Sequence, residues 1–319
     1  MKLLARKLLY LFTMLFIISL ISFIAINAAP NSFFASGELN PNITPESIEE
    51  LKAIYGLDKP LYVQFYSWFM AILQLDFGIS FASGSMVKDE ILSRIPITLT
   101  INIISMVFIF IISLYLGIKS ALNKNSIFDR FTGQLSLLSF SMPGFYLALL
   151  LVLVFAVNFE VLPIAGLHSV PDDGSLAYYL DFVWHLILPI SIMIFGGIGS
   201  LTLYVRSLTI EILKSDYIFF AKARGLDDKK ILKNFVLPNL YPPIITMLGL
   251  SLPGIIGGSV ILETIFSIDG MGLLFFQSAL SHDYPVIMGI LIIGAFLTLI
   301  GNMIADLVLV KLNPNFDAK

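Results

Sequence analysis

Six stretches of this chain carry no Asp, Glu, Lys or Arg: 8–37, 95–118, 131–159, 182–205, 234–262 and 284–305. Each holds at least 22 residues, and every other uncharged run is shorter than 18. An α-helix rises about 1.5 Å per residue, so roughly 20 apolar residues cross a hydrocarbon core. Lipid offers a backbone N–H or C=O no partner, so such a segment must satisfy itself internally. The pattern therefore predicts an all-α, polytopic membrane protein with six spanning helices. Pro143, Pro189 and Pro253 fall inside three of them and are expected to kink them.

Basic residues fix the orientation that these spans imply. Lys2, Arg6 and Lys7 precede the first window; Lys119, Lys124 and Arg130 lie between the second and third. Seven more, from Arg206 to Lys233, lie between the fourth and fifth, and Lys311 and Lys319 follow the sixth. With six spans all 15 share one side, leaving Lys52, Lys59, Lys88 and Arg94 on the other. Both termini are expected in the cytoplasm. Met1–Lys7 is basic and Ala28-Ala29 is small, as in a secretion signal, but the apolar run is longer than a signal core. The first helix is therefore expected to be retained.

Composition agrees. Only 13% of the 319 residues are charged, about half of what a water-soluble domain uses. A net charge of −3 argues against a nucleic-acid partner. Cysteine is absent, which excludes disulfides and thiolate metal sites. The chain has no G-x-x-x-x-G-K-[ST] phosphate loop, no H-E-x-x-H and no G-x-S-x-G. No ATPase, metalloprotease or serine-hydrolase site is expected, and no cofactor.

Residues 1–319 are expected to form one membrane domain, with an external loop at 30–95 and a cytoplasmic loop at 208–240. In the external loop, Thr44-Pro45-Glu46 has the form of a helix start and Gly56 of its stop. Tyr62–Leu75 is aromatic, nearly uncharged and short for a span. It is expected along the outer interface, as a lid on the bundle or a docking surface. In the cytoplasmic loop two short helices are expected. Gly225 closes the first, Asp227 caps the second, and Pro238 follows its end. Ile231, Leu232, Phe235 and Val236 make an apolar stripe suited to lipid or to a partner's groove.

Ala221, Gly225 and Leu237-Pro238 at this spacing resemble the EAA loop of ABC importer permeases. Phe219 and Phe220 stand where Glu and Ala are commonest, and the peptide and nickel branch lacks that Glu. Other stretches are similar to that branch: Gly56-Leu57-Asp58-Lys59-Pro60, Leu75-Asp76-Phe77-Gly78, Ser141-Met142-Pro143, Glu263-Thr264, Asp269-Gly270-Met271-Gly272 and Asp283-Tyr284-Pro285. The resemblance implies a type I permease fold in a bacterial inner membrane. It implies four kinds of neighbour: a second permease subunit (a heterodimer), two cytoplasmic ATPase subunits holding ATP and Mg, an external solute-binding protein, and the lipid bilayer. The loop would be a coupling helix docking on the ATPase through Tyr217, Ala221, Ala223, Arg224 and Gly225. Leu226, Asp227, Leu237 and Pro238 complete it. Gln74–Ser83 resembles nickel permeases more than dipeptide ones, so nickel or a nickel chelate is the expected cargo, with di- or oligopeptides as the alternative. A secondary transporter without an ATPase is the rival class. It would be expected to show inverted repeats and midplane charges, and neither is evident here.

Some polar residues stay open between two roles. Glu263, toward the external end of the fifth helix, is either a pathway residue or a satisfied structural carboxylate. His168, His185 and His282 map to the external side, as a transient metal relay or as ordinary hydrogen-bonding residues; His185 and His282 are pathway candidates. Asp306 reads as structural. Gly196, Gly197 and Gly199, and Gly254 with Gly258, suit close helix packing or a path lined by accessible carbonyls.

Overall fold

The computed structural model describes residues 2–28, 59–256 and 259–312. Regular structure among them is helical, apart from one isolated bridge between Ile79 and Met86. The order is α1 (Lys2–Asn27), α2 (Leu61–Leu73), α3 (Val87–Leu122), α4 (Ile127–Ser141), α5 (Gly144–Leu151, extended by a π-wound stretch Val152–Asn158) and α6 (Leu176–Leu213). Then follow α7 (Asp216–Ala223), α8 (Asp228–Ile231, extended by the π-wound Leu232–Val236), α9 (Leu237–Ile256), α10 (Val260–Ile265), α11 (Met271–Leu280) and α12 (Tyr284–Leu312). The expected helix at 44–56 lies outside the described residues, as do the Gly257-Gly258 pair and 313–319.

Every charge-free window holds a helix, and two depart from expectation. The window 131–159 is broken: α4 and α5 meet at 102°. Met142 is extended at the break (φ −82°, ψ 126°) and Pro143 leads into α5. A proline ring disfavours the helical conformation of the residue before it. The second departure is α3, which starts at Val87, eight residues ahead of its charge-free window. Asp89 and Glu90 in its first turn suit a helix N-terminus. Pro96 and the buried Pro189 lie within α3 and α6 without ending either. Among the described residues three helices are long and apolar enough to cross a membrane: α3, α6 and Tyr284–Ile304 of α12. The bent α4–α5 pair makes a fourth if it is one broken span.

The chain divides into two units. One comprises 1–98, 256–264 and 269–300. In it α2 packs against α1 through rings: Phe12 and Phe16 meet Phe69 at 6.2 and 5.3 Å, and Phe23 meets Phe65 and Trp68 at 5.4 and 5.8 Å. Edge-to-face geometry dominates, as ring quadrupoles favour. The apolar core joins Val87 and Ile91 of α3, Met271 and Leu274 of α11, and Val286 and Ile290 of α12. Near it the buried Asp283 accepts from the Ser80 hydroxyl at 2.5 Å and the Ala82 N–H at 3.1 Å, tying the 76–86 turn to the start of α12.

The other unit comprises 99–255, 265–268 and 301–319. Small residues set its tightest crossing, α4 on α6. A Cβ on Gly199 would stand 2.5 Å from the Ser136 carbonyl oxygen and 2.8 Å from the Ser139 hydroxyl. The Ser139 hydroxyl donates to the Phe195 carbonyl, so the helices are joined by a hydrogen bond where they touch. Packing is thus the use of Gly199, while Gly196 faces open space.

The start of α11 explains a motif that the sequence left opaque. A helix begins with backbone N–H groups that have no partner within it. Here Glu263 accepts from the N–H of Gly272 at 2.6 Å and of Leu273 at 3.0 Å, and Thr98 accepts from that of Met271 at 2.9 Å. Thr98 in turn donates to Glu263 at 3.2 Å. The approach demands glycine: a Cβ on Gly270 would lie 2.5 Å from the Glu263 carboxylate, and one on Gly272 would lie 2.8 Å from the Val260 backbone. Backbone cannot yield as a flexible side chain can. Gly272→Ala should therefore cost about 1–3 kcal/mol, lowering the unfolding temperature of the detergent-purified protein. Gly133→Ala, with nothing within 4 Å of the added carbon, should be neutral or mildly stabilising; equal behaviour of the two variants would refute the steric account.

Candidate functional site

The 215–240 segment is built from one helix stop and one helix start. Helix α7 ends with Gly225 at φ +78°, a left-handed conformation that costs glycine little. The Leu226 N–H reaches the Ala221 carbonyl at 3.2 Å and the Gly225 N–H reaches that of Lys222 at 2.9 Å. These are the paired bonds of a Schellman stop, and the accompanying apolar contact is Leu226 in the cluster that contains Ala221. Two residues after the glycine, Asp227 accepts from the Lys230 N–H at 3.1 Å and caps α8. The spacing from Ala221 to Asp227 is thus the length of a stop, a one-residue reversal and a start.

The apolar stripe is used inside the chain. Ile231 and Val236 join Ile212, Ile218, Ala221 and Leu240 in one buried core, and Leu232 and Phe235 pack against it. The stripe therefore does not lie free for lipid or a groove. Pro238 does not follow the end of a helix either: it is the second residue of α9. The π-wound Leu232–Val236 leads directly into α9, so Pro238 sits within a continuous helical run and removes one backbone donor from it. Beyond the core the loop presents Tyr217, Phe219, Phe220, Ala223, Arg224 and Gly225 to the outside. Phe219 and Phe220 are 69% and 62% exposed, with rings edge to face at 5.8 Å. The same segment carries Lys222, Arg224, Lys229, Lys230 and Lys233, also exposed.

Residues 109–317 match the family model of the binding-protein-dependent transport system inner membrane component, and 1–102 match the N-terminal model of such membrane components. The chain belongs to this family of ABC importer permeases. An oligopeptide transport system permease of Bacillus subtilis is 34% identical to it over 94% of each chain. A metal-staphylopine import system permease of Staphylococcus aureus is 29% identical over 98% of this chain and 97% of its own. A chain of the MetNI methionine ABC transporter, solved in inward-facing conformations, has a TM-score of 0.56 at 16% identity, covering 70% of this chain and 96% of that one. That last likeness shows the fold.

The structure gives the remaining polar residues defined places. Glu263 is buried at the start of α11, its carboxylate occupied by the bonds described above. His185 is buried with both ring nitrogens engaged, Nδ1 at 2.8 Å from the Asp181 carbonyl and Nε2 at 3.1 Å from the Ser169 hydroxyl. His168 stacks on Tyr178 at 3.8 Å and lies 3.8 Å from the Asp181 carboxylate. His282, in the other unit, meets the Tyr284 ring edge-on at 6.2 Å. Asp306 is half-buried on α12. Among the described residues no group of three or more His, Asp or Glu side chains is arranged to hold a metal ion.

One ionic site escaped sequence reasoning. Arg206 of this permease donates Nε to Asp129 Oδ1 at 2.6 Å and Nη2 to Oδ2 at 2.8 Å. The Ser120 hydroxyl and the Asn125 N–H, the latter at 2.8 Å, also donate to this carboxylate, which is 5% exposed. The end of α3, the start of α4 and the last two turns of α6 are pinned together. The clue was present: Arg206 directly follows the fourth window and Asp129 stands two residues before the third. Arg206→Ala strands the carboxylate and should cost about 3 kcal/mol, read as a lowered unfolding temperature. The double variant Asp129→Asn/Arg206→Gln should be less damaged than Arg206→Ala; the reverse order would show that the pair is not the connection.

Proposed function

We propose that this chain is one of two permease subunits of an ATP-driven importer in a bacterial inner membrane, with six spans and both termini cytoplasmic. ATP and Mg would sit on separate ATPase subunits, and an external solute-binding protein would deliver the cargo. Transmission would run through α7, Gly225 and α8. The observation that carries this assignment is the Phe219–Phe220 pair, held open on a loop whose larger aliphatic side chains pack into or against a buried core. Aromatic rings left this exposed suit a protein partner, and the lysines of the loop support a position on the side with the basic excess. Family membership supplies the kind of partner. Buried Ala221, half-buried Leu226 and Leu237, and the cap Asp227 would shape the surface; Tyr217, Ala223 and Arg224 would contact the ATPase.

For cargo we place oligopeptides first, because a relative named for oligopeptide transport matches along nearly the whole chain. A metal chelate, nickel included, comes second, supported by the relative named for metal-staphylopine import. The comparisons lend nothing to a transporter without an ATPase.

Phe219→Glu tests the coupling assignment, because an exposed side chain can change without disturbing the fold. Losing an aromatic anchor at an interface costs about 2 kcal/mol or more, roughly thirty-fold in affinity. Uptake of a labelled tripeptide should fall at least tenfold at unchanged membrane level, and ATPase subunits should no longer co-purify. Asp228→Ala, at a side chain 91% exposed in the same loop, should transport normally. Full uptake by Phe219→Glu would end the assignment.

A further inference from the structure

The first unit holds an apolar trough of about 390 Å³ between α1 and α2. The two helices run antiparallel, since Phe12 and Phe16 meet Phe69 while Phe23 meets Phe65. Leu20, Phe23 and Phe65 line its deep part, and Asn27, Ala28, Leu61 and Tyr62 stand at its mouth, where α1 ends and α2 begins. Depth follows from length. Lys7 and Ala28 are 21 residues apart along α1 and its end, about 31 Å of helical rise and close to the thickness of a hydrocarbon core. With Lys7 in one headgroup layer, the mouth of the trough lies in the other. Helix α2 has 13 residues, about 20 Å of rise, so it starts in that layer and ends within the hydrocarbon. Its face away from α1 suits this depth, with Leu61, Tyr62, Tyr66, Met70 and Leu73 exposed.

The mouth carries groups of a different kind. Helix α2 starts from Pro60, which has no side-chain acceptor to cap it. The N–H groups of Val63 and Gln64 turn back to the Pro60 carbonyl at 2.8 and 3.1 Å, and those of Leu61 and Tyr62 have no acceptor among the described residues. Such a helix start attracts an anion. Lys59 is exposed immediately before it, and the Gln64 side chain donates to the Lys59 carbonyl at 2.7 Å, which fixes the turn. No carboxylate lines the trough. An apolar trough floored by rings, opening at headgroup depth beside a lysine and an uncapped helix start, suits a ligand with an apolar chain and an anionic end. In a bilayer that ligand is a phospholipid: burial rewards the chain, and charge-assisted bonds reward the phosphate.

We propose that the trough between α1 and α2 is a selective site for one anionic phospholipid, in the leaflet opposite Lys2, Arg6 and Lys7. One acyl chain lies along Leu20, Phe23 and Phe65, and the phosphate meets Lys59 and the N–H groups of Leu61 and Tyr62. The lipid fills the space that the ring contacts leave between the two helices, and so belongs to the packing of this unit. The inference goes beyond the importer assignment: it needs α1 to cross the membrane and is indifferent to the cargo.

The chain has two tryptophans, Trp68 and Trp184, which makes the test direct. Trp68 lies against Phe23 and Phe65 of the trough, at 5.8 and 6.2 Å between ring centroids. Trp184, exposed on α6 in the other unit, is removed by Trp184→Phe. The full chain with Trp68 alone is reconstituted in phosphatidylcholine vesicles containing increasing fractions of acyl-brominated phosphatidylglycerol or, separately, acyl-brominated phosphatidylcholine. Bromine quenches an indole that it touches. The brominated phosphatidylglycerol should reach half-maximal quenching at a mole fraction at least threefold lower than the phosphatidylcholine. Lys59→Glu should abolish that preference, with Lys59→Gln as a second variant should the first insert poorly. Asp58→Asn, which removes the negative charge next in sequence, should keep or raise it. Lys88→Glu, at another exposed lysine of the same unit, should leave it unchanged. Ala28→Phe, at the exposed mouth, should weaken quenching by both lipids. Equal quenching by the two headgroups would mean ordinary surrounding lipid, and the proposal falls. A preference that survives both Lys59 variants overturns the phosphate site. Absence of quenching by either lipid would mean that a protein segment fills the trough.

Discussion

A helix that begins or ends away from water leaves backbone groups without partners, and this chain meets that constraint with a handful of polar side chains. Glu263 and Thr98 receive the first N–H groups of α11. Asp129 takes the Asn125 N–H before α4, together with Ser120 and Arg206. Gly225 turns the chain so that α7 closes on its own carbonyls, and Asp227 opens α8. In a sequence so poor in charge, the buried carboxylates Asp129, Glu263 and Asp283 stand at helix junctions.

This explains what sequence could and could not reveal. Helix positions were legible because charge-free runs are a local property, and each of the six windows does hold a helix. The stop at Gly225 and the cap at Asp227 were legible because their bonds span no more than five residues. The α4–α5 break was half legible: Pro143 announced a kink, but nothing local set its size at 102°. Glu263 was ambiguous because its role depends on Thr98, 165 residues away, and on glycines 7 and 9 residues ahead. The Asp129–Arg206 pair spans 77 residues and was counted only as charge. Pro238 was misread because a proline after an amphipathic stripe signals an end, unless the winding widens just before it, as at Leu232–Val236.

The 215–240 loop and a groove lined in part by Met106, Met193, Met247, Ser200 and Ser251 have opposite characters within one unit. The loop offers rings and positive charge at its exposed edge; the groove offers hydroxyls and sulfur with no charge. Helix α9 belongs to both. It begins where the π-wound stretch ends, contributes Leu240 to the core beneath the loop, and reaches the groove at Met247 and Ser251. No unwound residue separates these places, so a displacement of the loop has a continuous rod along which to travel.

The junction at α11 also limits how the gene can drift. Glu263, Gly270, Gly272 and Thr98 occupy one small volume, and a change in any one alters what the others can be. A lineage that kept the carboxylate would find both glycines fixed. One that lost it would leave Gly270 crowded by a single side-chain atom, the Thr98 hydroxyl at 2.7 Å from an added Cβ. Gly272 would remain constrained by the Val260 backbone. The two glycines of a single motif would then evolve at different speeds, one tied to a side chain and the other to the path of the main chain.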